Sequence, residues 1–541
     1  MSTSPPKPEP RLPEDSYRRP SPFRSTVVVS SMTLLSRASG LIRDVVFARF
    51  FGAGIVMDAF FVAFKLPNMF RRFFAEGAFS QSFVPVFAEY DEQKTHEETK
   101  ELIDKVSGTL GFILFAFTLI GVIAAPILIG IAGMGWLLNP DADSSAKFDL
   151  AVDMLRFTFP YLLFISLTAL AGAILNTYQR FSAAAFVPVL LNLVLIVFAA
   201  FLAPEFANPG VILAIGVFVA GLVQLIFLLP FLARVKALPR PRWGWQHSGV
   251  KKIVKLMLPA IFGSSVAQIN ILFDTLLASF LATGSISWLY YSDRLMEFPL
   301  GVFGIALATV ILPSLSREHA AESLERFSSM FDWALRIALI VAVPASVGLF
   351  VLSGPALVTI FYGGKFSTLD VEMAQLSLMA YSFGLLGFIM VKVLVPGYFA
   401  RQDTKTPVRI GIIALIANMI LNLLIVIPWY QSETIGPHAG LAVATSISAI
   451  LNATLLYRGL RRDGVIKHSS GWSKLLAQVI FSTFLMAIVL IMFLPDIEVW
   501  LSESLLQNCF RLLVAVLGGT GCYFFGLFLC GMRPSTLRWK S

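Results

Sequence analysis

Long runs of apolar residues dominate the chain, and short polar segments separate them. Each run holds about 20 mainly apolar residues, enough for an α-helix to cross a hydrocarbon layer of about 30 Å. Because lipid offers no hydrogen-bond partners, a membrane-spanning backbone must satisfy itself as a helix or a closed barrel. Barrel strands would be short segments of alternating polarity, and the sequence has no such pattern. The pattern therefore predicts an all-α polytopic membrane protein.

About fourteen transmembrane helices fit this pattern. They lie near residues 24–49, 55–88, 106–136, 150–177, 183–203, 209–233, 250–281, 286–315, 328–353, 373–400, 407–429, 438–458, 472–495 and 507–531. Residues 1–22 are rich in proline and polar, so we expect a disordered cytoplasmic tail. The first apolar run is too long and too charged for a cleaved signal peptide, and we expect it to remain as a helix.

The distribution of basic residues predicts how the helices are oriented. The 541-residue chain is 57% hydrophobic, and its formal net charge is +9. If the N-terminus is cytoplasmic, the inner segments hold about 28 lysines and arginines, whereas the outer loops hold about two, Lys147 and Lys365. This asymmetry predicts that both termini are cytoplasmic. It also explains the positive charge without a nucleic-acid partner.

Two pairs of similar segments predict a duplicated architecture. Residues 176–182 resemble 398–407, and 82–89 resemble 310–318, each pair being six predicted helices apart. An even separation gives both copies the same topology, as in transporters built from two parallel lobes. We expect two pseudo-symmetric six-helix lobes at 23–235 and 236–460, with two C-terminal helices and a tail in 461–541. Chance similarity between apolar helices is the alternative.

Charged residues inside the predicted membrane segments concentrate in the first, second, seventh and eighth helices. A charge at the bilayer centre costs about 2.5–3.5 kcal/mol on insertion scales, so each one needs a reason. The charged residues are Arg37, Arg43, Asp44, Asp58, Lys65, Arg71, Arg72, Glu76, Asp274, Asp293, Arg294 and Glu297. The first two helices and the seventh and eighth occupy equivalent positions in the two predicted lobes.

Helical geometry gives the first membrane helix a single polar face. At about 100° per residue, Ser36, Arg37, Arg43 and Asp44 lie within about 60° of Gly40. A face of this kind must contact protein or water rather than lipid. The second helix carries a similar stripe, although its proline disturbs the register beyond that point, and the stripe includes Arg72 rather than Arg71.

Structural salt bridges are one alternative explanation for these charges, for example between Arg43 and Asp58 or between Arg294 and Glu297. Arg71 and Arg72 could also extend to the membrane interface instead of facing the protein interior. Paired charges do not account for the excess of basic residues, which favours an anion-binding cavity. Arginine suits a diphosphate because its planar guanidinium makes two parallel contacts and stays charged when desolvated.

Several long motifs resemble the MurJ (MviN) lipid II flippases. They include S-S-M-T-L-L-S-R-A-S-G-L-I-R-D at 30–44, S-W-L-Y-Y-S-D-R-L-M-E-F-P at 287–299 and P-G-Y-F-A-R-Q-D-T-K-T-P at 396–407. The resemblance extends from about residue 25 to the C-terminus. It implies the fold of the multidrug/oligosaccharidyl-lipid/polysaccharide exporters, with twelve core helices in two lobes and two C-terminal helices that form a groove for a lipid tail.

The resemblance also implies a function and a set of site residues. The function is transfer of lipid II, an undecaprenyl-diphosphate-disaccharide-pentapeptide, from the cytoplasmic to the periplasmic leaflet of a bacterial inner membrane by alternating access, for peptidoglycan synthesis. The matching substrate-site positions are Arg37, Arg43, Arg71, Arg294, Asp58, Lys65, Asn68, Glu76, Ser287 and Glu297. The motif favours Arg71 over Arg72. The expected partners are lipid II and membrane lipids.

A sodium site in the second lobe is a further expectation, since some relatives bind this ion there. Asp274, Asn418, Asn422 and Thr445 resemble the pattern, and their oxygen atoms suit a hard cation. The alternative is hydrogen bonding between helices by Asn418 and Asn422, which lie four residues apart on one face. We expect no other cofactor.

Other function classes fit the sequence less well. No phosphate-binding loop is present; the nearest string, G-G-K-F at 363–366, lacks the spacing and the hydroxyl residue, so we expect no use of ATP. An enzyme would need a nucleophile, a base or a carboxylate cluster, whereas the acids accompany arginines and the five histidines are dispersed. An exporter of the same fold for another polyprenyl-diphosphate-linked glycan, or a drug/cation antiporter, remains the alternative.

Overall fold

Helices account for nearly all of the described residues in a computed structural model, which describes residues 22–74, 78–139, 141–304, 311, 315, 324–432, 434–466 and 470–533. The helices of the first predicted lobe are α1 (Pro22–Phe51), α2 (Ile55–Phe74), α3 (Ala78–Gln93), α4 (His96–Ile123), α5 (Ala125–Ala132), α6 (Met134–Leu138), α7 (Ala142–Thr158), α8 (Tyr161–Thr177), α9 (Phe181–Val197) and α10 (Pro209–Arg234). Except for Pro22, the predicted tail lies outside the described residues.

The second predicted lobe and the C-terminal pair continue the same pattern. Their helices are α11 (Ser248–Ala278), α12 (Ser285–Pro299), α13 (Leu324–Val351), α14 (Ser353–Phe361), α15 (Thr368–Phe399), α16 (Lys405–Gln431), α17 (His438–Arg462), α18 (Trp472–Phe493), α19 (Ile497–Ser502) and α20 (Leu505–Leu529). Within the described ranges the one β contact is an isolated bridge between Gly363 and Phe366. These elements confirm the predicted all-α fold.

Some predicted helices are divided in the structure. The helix predicted at 106–136 ends at Ile123, and two short helices, α5 and α6, follow it. A proline lies in the first turn of α5, where its missing N–H costs nothing, so a new helix begins there. The helix predicted at 150–177 is longer and bends between α7 and α8, where Pro160 lies. Apolar periodicity alone does not locate such breaks.

Ten helices in the described part of the chain are long and apolar enough to cross a membrane. The other predicted membrane helices are the first, second, seventh and eighth, which are the four that carry the charged residues. Charged residues lower the apolar character of a helix, so a criterion of length and composition does not select these four helices. The count of fourteen and the cytoplasmic position of both termini stay predictions.

Helices within each predicted lobe pack on one another. In the first lobe α1 contacts α9 and α8 contacts α10, whereas in the second lobe α15 contacts both α13 and α17. The C-terminal helices α18 and α20 pair with each other and attach to α13, where the Tyr523 hydroxyl donates to the carbonyl of Ile340 at 2.7 Å. The lobe boundaries at 235 and 460 stay predictions.

The segment that joins the two predicted lobes is fixed to α4. The backbone N–H of Arg240 donates to the carboxylate of Asp104 at 2.7 Å, and that of Arg242 donates to the carbonyl of Asp104 at 2.9 Å. Gly108 allows this approach, because a Cβ there would lie 2.3 Å from backbone atoms of Arg242. The connection is therefore tied to the first lobe before α11 begins.

Candidate functional site

Two arginines from opposite predicted lobes meet at one carboxylate. Arg43 on α1 donates from Nε and Nη2 to Oδ1 of Asp44 at 3.0 and 2.7 Å, and its Nη1 donates to Asn192 on α9 at 3.0 Å. Arg294 on α12 places its Nε 3.2 Å from Oδ2 of Asp44. Arg43 and Asp44 are buried, at 7% and 2% exposure. Two of the predicted site residues, Arg43 and Arg294, therefore come together across the interface.

The hydroxyl of Tyr290 completes this contact. It accepts from Nη2 of Arg43 at 3.0 Å and from Nη2 of Arg294 at 3.1 Å, and it donates to Asp44 at 3.0 Å. The Tyr290 ring stacks on Phe61 of α2 with centroids 3.8 Å apart, and the Arg294 guanidinium carbon lies 4.9 Å from the ring centroid. The tyrosine thus holds both guanidinium groups at one position.

Sequence reasoning left Asp44, Asn192 and Tyr290 out of the substrate set. Asp44 lies on the predicted polar face of the first membrane helix, beside Arg43. Asn192 is the single amide in the apolar run 183–203, and a lone polar residue in such a run needs a partner inside the protein. Tyr290 precedes Arg294 by four residues, which places both on one helical face. These features are visible in the sequence, but none of them indicates which helix lies opposite.

The other predicted arginines lie farther along the first lobe. Arg37 is exposed and reaches the second lobe, where a Cβ on Gly301 would lie 1.9 Å from its Nη1. Arg71 is half-buried and donates from Nε to Oδ1 of Asn68 at 3.1 Å. Arg72 is exposed on the same helix. Glu76 lies outside the described residues.

Acids lie beside both of the arginines that meet at this interface. Arg294 donates from Nη1 to Oε2 of the exposed Glu297 at 3.0 Å, in addition to its contact with Asp44. Asp44 and Glu297 together match the formal charges of Arg43 and Arg294. The remaining predicted basic residues of the set are Arg37, Arg71 and Lys65.

Asp58 and Ser287 form a second contact between the lobes. The Asp58 carboxylate on α2 accepts from the backbone N–H of Gly284 at 2.7 Å, and from the N–H and hydroxyl of Ser287 at 3.0 and 2.6 Å. Gly284 and Ser287 form the first turn of α12, where unpaired N–H groups and the helix dipole favour an anion. Asp58 thus caps a helix of the opposite lobe.

The same end of the bundle carries a backbone contact between the lobes. The N–H of Lys365, in the turn after α14, donates to the carbonyl of Arg49 on α1 at 2.8 Å. Gly364 in this turn has a φ of +62°, and a Cβ on it would lie 2.2 Å from that carbonyl oxygen. Both the conformation and the close approach therefore require glycine. By the predicted orientation this end is periplasmic, and the lobes are closed on each other there.

Lys65 faces the second lobe in the middle of the interface. Its Nζ donates to the hydroxyl of Thr275 on α11 at 2.9 Å. The cavity that these two residues line has a volume of only about 10 Å³. Lys65 therefore contacts the second lobe directly.

The four residues of the predicted cation site lie together. Asn422 Nδ2 donates to Asp274 at 2.7 Å and to Asn418 Oδ1 at 3.0 Å, and Asn418 Nδ2 donates to the hydroxyl of Thr445 at 3.3 Å. Asn270 Nδ2 also donates to Asp274, at 3.1 Å. The Oδ1 atom of the fully buried Asn422 accepts no hydrogen bond from a described residue. The set joins α11, α16 and α17.

A bundle of apolar helices whose basic residues meet between two lobes is the architecture of a polytopic membrane transporter. An inward-facing multidrug resistance transporter of the MATE family has a similar fold, with a TM-score of 0.64 over 81% of this chain and 98% of that one. Its sequence identity of 13% supports the shared fold alone. The match shows that the two proteins share a fold.

The chain belongs to the MurJ lipid II flippase family, whose model matches residues 47–510. The probable lipid II flippase MurJ of Vibrio cholerae is 48% identical over 518 residues, 95% of this chain and 97% of that protein. The lipid II flippase MurJ of Burkholderia cenocepacia is 42% identical over 469 residues, 86% of this chain and 89% of that protein.

A solved structure agrees with this assignment. The lipid II flippase MurJ in an inward closed conformation matches with a TM-score of 0.75 and 26% identity, covering 92% of this chain and 98% of that chain. The comparisons confirm the predicted family and fold class. They also confirm that this is a multi-pass protein of the bacterial inner membrane.

Proposed function

We propose that this protein carries lipid II across the inner membrane by alternating access of its two lobes. The observation that supports this most directly is the meeting of Arg43 and Arg294, from different lobes, at one buried carboxylate. Two guanidinium groups held at one point suit the two phosphates of a diphosphate, to which each can make paired hydrogen bonds. The identity of the substrate, lipid II, comes from the family to which the chain belongs.

Separation of the lobes would expose these guanidinium groups. Arg43 and Asp44 both lie on α1 and would move together, whereas Arg294 and Tyr290 would leave with α12. The diphosphate would then take up contacts with Arg43, Arg294 and the exposed Arg37, while the prenyl chain stays in lipid. An interior-negative potential favours outward movement of an anion by about 2.3 kcal/mol per charge per 100 mV. This scheme uses no ATP.

We infer that no covalent chemistry accompanies transport. The acids at the interface have structural partners: Asp44 contacts two arginines, Asp58 caps α12, and Asp274 accepts from two amides. A catalytic pair would instead place a nucleophile within hydrogen-bond reach of a base. The turn that contains Lys365 uses its backbone to contact α1 rather than to surround a phosphate.

Replacement of the paired arginines tests the proposed function. Arg43→Ala and Arg294→Ala should each abolish external exposure of lipid II in cells where this chain is the only flippase, with protein levels in the membrane unchanged. Arg43→Lys and Arg294→Lys should also impair it, because lysine cannot make the paired contacts. Arg156→Ala is the matched control, since this exposed arginine pairs with Asp153 within its own helix.

The same assay discriminates the alternatives. Transport of lipid II by all the arginine variants at the normal rate would contradict the proposed function. Export of a different polyprenyl-diphosphate-linked glycan with no exposure of lipid II would favour the alternative substrate. Conversion of lipid II to a product by pure protein in liposomes would favour an enzyme.

We propose in addition that Asp274, Asn418, Asn422 and Thr445 bind sodium. Three amide or hydroxyl oxygens and one carboxylate converge there, and Asn422 Oδ1 has no described partner. Hydrogen bonding between the helices is the alternative. Sodium, but not choline, should raise the thermal midpoint of the pure protein, and Asp274→Asn should remove this effect. An equal response to sodium in that variant would favour the alternative.

A further inference from the structure

Lys392 is a charged residue inside a membrane helix of the second lobe. It lies on α15, within the helix predicted at 373–400, and its side chain is exposed although the next two residues, Val393 and Leu394, are buried. Within the described part of the chain it forms no hydrogen bond and no ion pair. A charge inside a membrane helix costs free energy, so a lysine kept there without a partner indicates a functional contact.

The face of α15 that carries Lys392 points toward α12. Ala374 lies five whole turns earlier on the same face, at about 100° per residue, and its carbonyl accepts from the Ser292 hydroxyl of α12 at 2.6 Å. One turn before that, the Asp370 carboxylate accepts from Nε1 of Trp288 at 2.8 Å. Both contacts belong to the stripe of α15 that continues to Lys392.

The middle of α15 gives the same direction. Tyr381 lies within about 20° of Lys392 around the helix axis, and the acids Asp274 of α11 and Asp293 of α12 are close enough to interact with it electrostatically. Phe383 is 65% exposed and lies about 180° from Lys392. Lys392 therefore faces the space between the lobes, not the outside of the bundle.

The contacts between α12 and α15 also give the depth of Lys392. They keep one register over a full turn, so Arg294 of α12 is level with Leu376 of α15. Lys392 lies about 24 Å farther along α15, at 1.5 Å per residue, which is toward the cytoplasm by the predicted orientation. One diphosphate cannot contact both Arg294 and Lys392 over that distance, so the lysine needs a different anion.

The rest of the lipid II headgroup supplies such an anion. Its pentapeptide carries free carboxylates, and the disaccharide separates this peptide from the diphosphate. Five extended residues span at most about 17 Å, and the two sugar rings bridge the remainder, so a carboxylate can reach Lys392 while the diphosphate stays at Arg43 and Arg294. An ammonium is a compact point charge that binds a carboxylate without the paired geometry for which arginine suits a diphosphate.

We propose that Lys392 binds a carboxylate of the stem peptide while the headgroup occupies the space between the lobes. This inference rests on the proposed function and extends it to a second part of the substrate. The arginines bind the diphosphate, and Lys392 determines specificity for the peptide.

Binding to the pure, full-length chain tests this proposal. Native mass spectrometry of the protein in detergent, titrated with lipid II and with lipid II whose peptide carboxylates are converted to carboxamides, gives an apparent Kd for each form. We expect wild type to bind the carboxylate form about tenfold or more tightly, the value of one charge-assisted hydrogen bond. Equal binding of the two forms by wild type, a result that needs no variant to fold, would overturn the proposal.

Variants locate the contact. Lys392→Met keeps most of the side-chain length but removes the ammonium, so it should bind both forms with the weaker affinity of the carboxamide form. Lys392→Arg should keep the preference. The matched control is Lys474→Met, an exposed lysine in the first turn of α18, which should bind as wild type does. A preference that survives in folded Lys392→Met would overturn the proposal, and so would equal weakening of both forms, which would assign the lysine to the diphosphate.

Arg43→Ala separates this inference from the proposed function. It should weaken both forms by the same factor, because both carry the diphosphate. Unchanged binding in that variant would contradict the arginine site and would leave the comparison of the two forms as a test of Lys392.

Discussion

Replacing Asp58 by asparagine should open the lobes at the end where α12 begins. Asparagine has nearly the same shape, so it changes the charge and the hydrogen bonds without leaving a void. Its single oxygen can still accept from Ser287, but its amide group then faces the N–H of Gly284, which the carboxylate accepts at 2.7 Å in the structure. The asparagine amide and the Gly284 N–H are both donors and cannot pair with each other. The first turn of α12 also loses the negative charge beside it.

The size of this effect follows from the lost contacts. A hydrogen bond to a charged group contributes about 1.5–3 kcal/mol, and leaving the buried N–H of Gly284 unpaired costs a similar amount. An anion at a helix N-terminus adds about 0.3–1 kcal/mol. Allowing for the bonds that asparagine keeps, we expect about 2–4 kcal/mol against the closed arrangement. That corresponds to a shift of about 30-fold to 1,000-fold in the equilibrium between closed and open lobes.

Distances between spin labels measure this equilibrium directly. Labels on cysteines placed at Asn208 and Thr368, exposed residues of the two lobes, should report a longer distance in Asp58→Asn, after serine replaces the 3 native cysteines. Asp141→Asn is the matched control, because Asp141 caps α7 within one lobe through the N–H of Ser144 at 2.6 Å. An unchanged distance distribution in a folded Asp58→Asn variant would refute the reasoning.

Two further predictions concern stability. Gly108→Ala should lower the free energy of unfolding by about 1–3 kcal/mol, and with it the thermal midpoint, because its Cβ would lie 2.3 Å from backbone atoms of Arg242. Gly111→Ala should leave the midpoint unchanged, because its Cβ would lie 3.9 Å from its nearest neighbour. At the start of α16, hydrogen bonds from Thr406 lower the pKa of Asp403 below its usual 3.8. Its contribution to stability should therefore be present above about pH 3.8 and be lost as the pH falls through the lowered pKa, and Asp403→Asn should remove that part of the unfolding profile. A pH profile identical in wild type and variant would contradict it.

Much of the fold followed from the sequence because lipid restricts the choice so strongly. Apolar runs long enough to span a bilayer had to be helices, and charges inside them had to face protein or water. That argument singles out the first, second, seventh and eighth membrane helices as the ones that carry charges, and the structure brings Arg43 of the first beside Arg294 of the eighth. The motifs then supplied the family.

The partners of the charges were much harder to predict. The ion pair between Arg43 and Asp58, one example of the salt-bridge alternative, does not form; Arg43 contacts Asp44, and Asp58 caps α12. Periodicity gives the face of a helix, but it does not give the height or rotation of the helix opposite. A helix N-terminus also attracts an acid through backbone N–H groups, which no side-chain pattern records. The sequence therefore does not decide whether the Asp58 carboxylate pairs with an arginine or with backbone N–H groups.

The position of Asp44 bears on how an empty transporter can return. Arg43 is buried and Arg294 is partly buried, so two like charges held together without a counter-charge would oppose closure of the lobes. Asp44 supplies that counter-charge from α1, and the Tyr290 hydroxyl accepts from both guanidinium groups, so the protein itself provides partners for both arginines in the closed arrangement. A diphosphate would have to replace Asp44 as the partner of Arg294 when the lobes separate. Substrate binding and lobe movement therefore use the same guanidinium groups, which is what couples one to the other in alternating access.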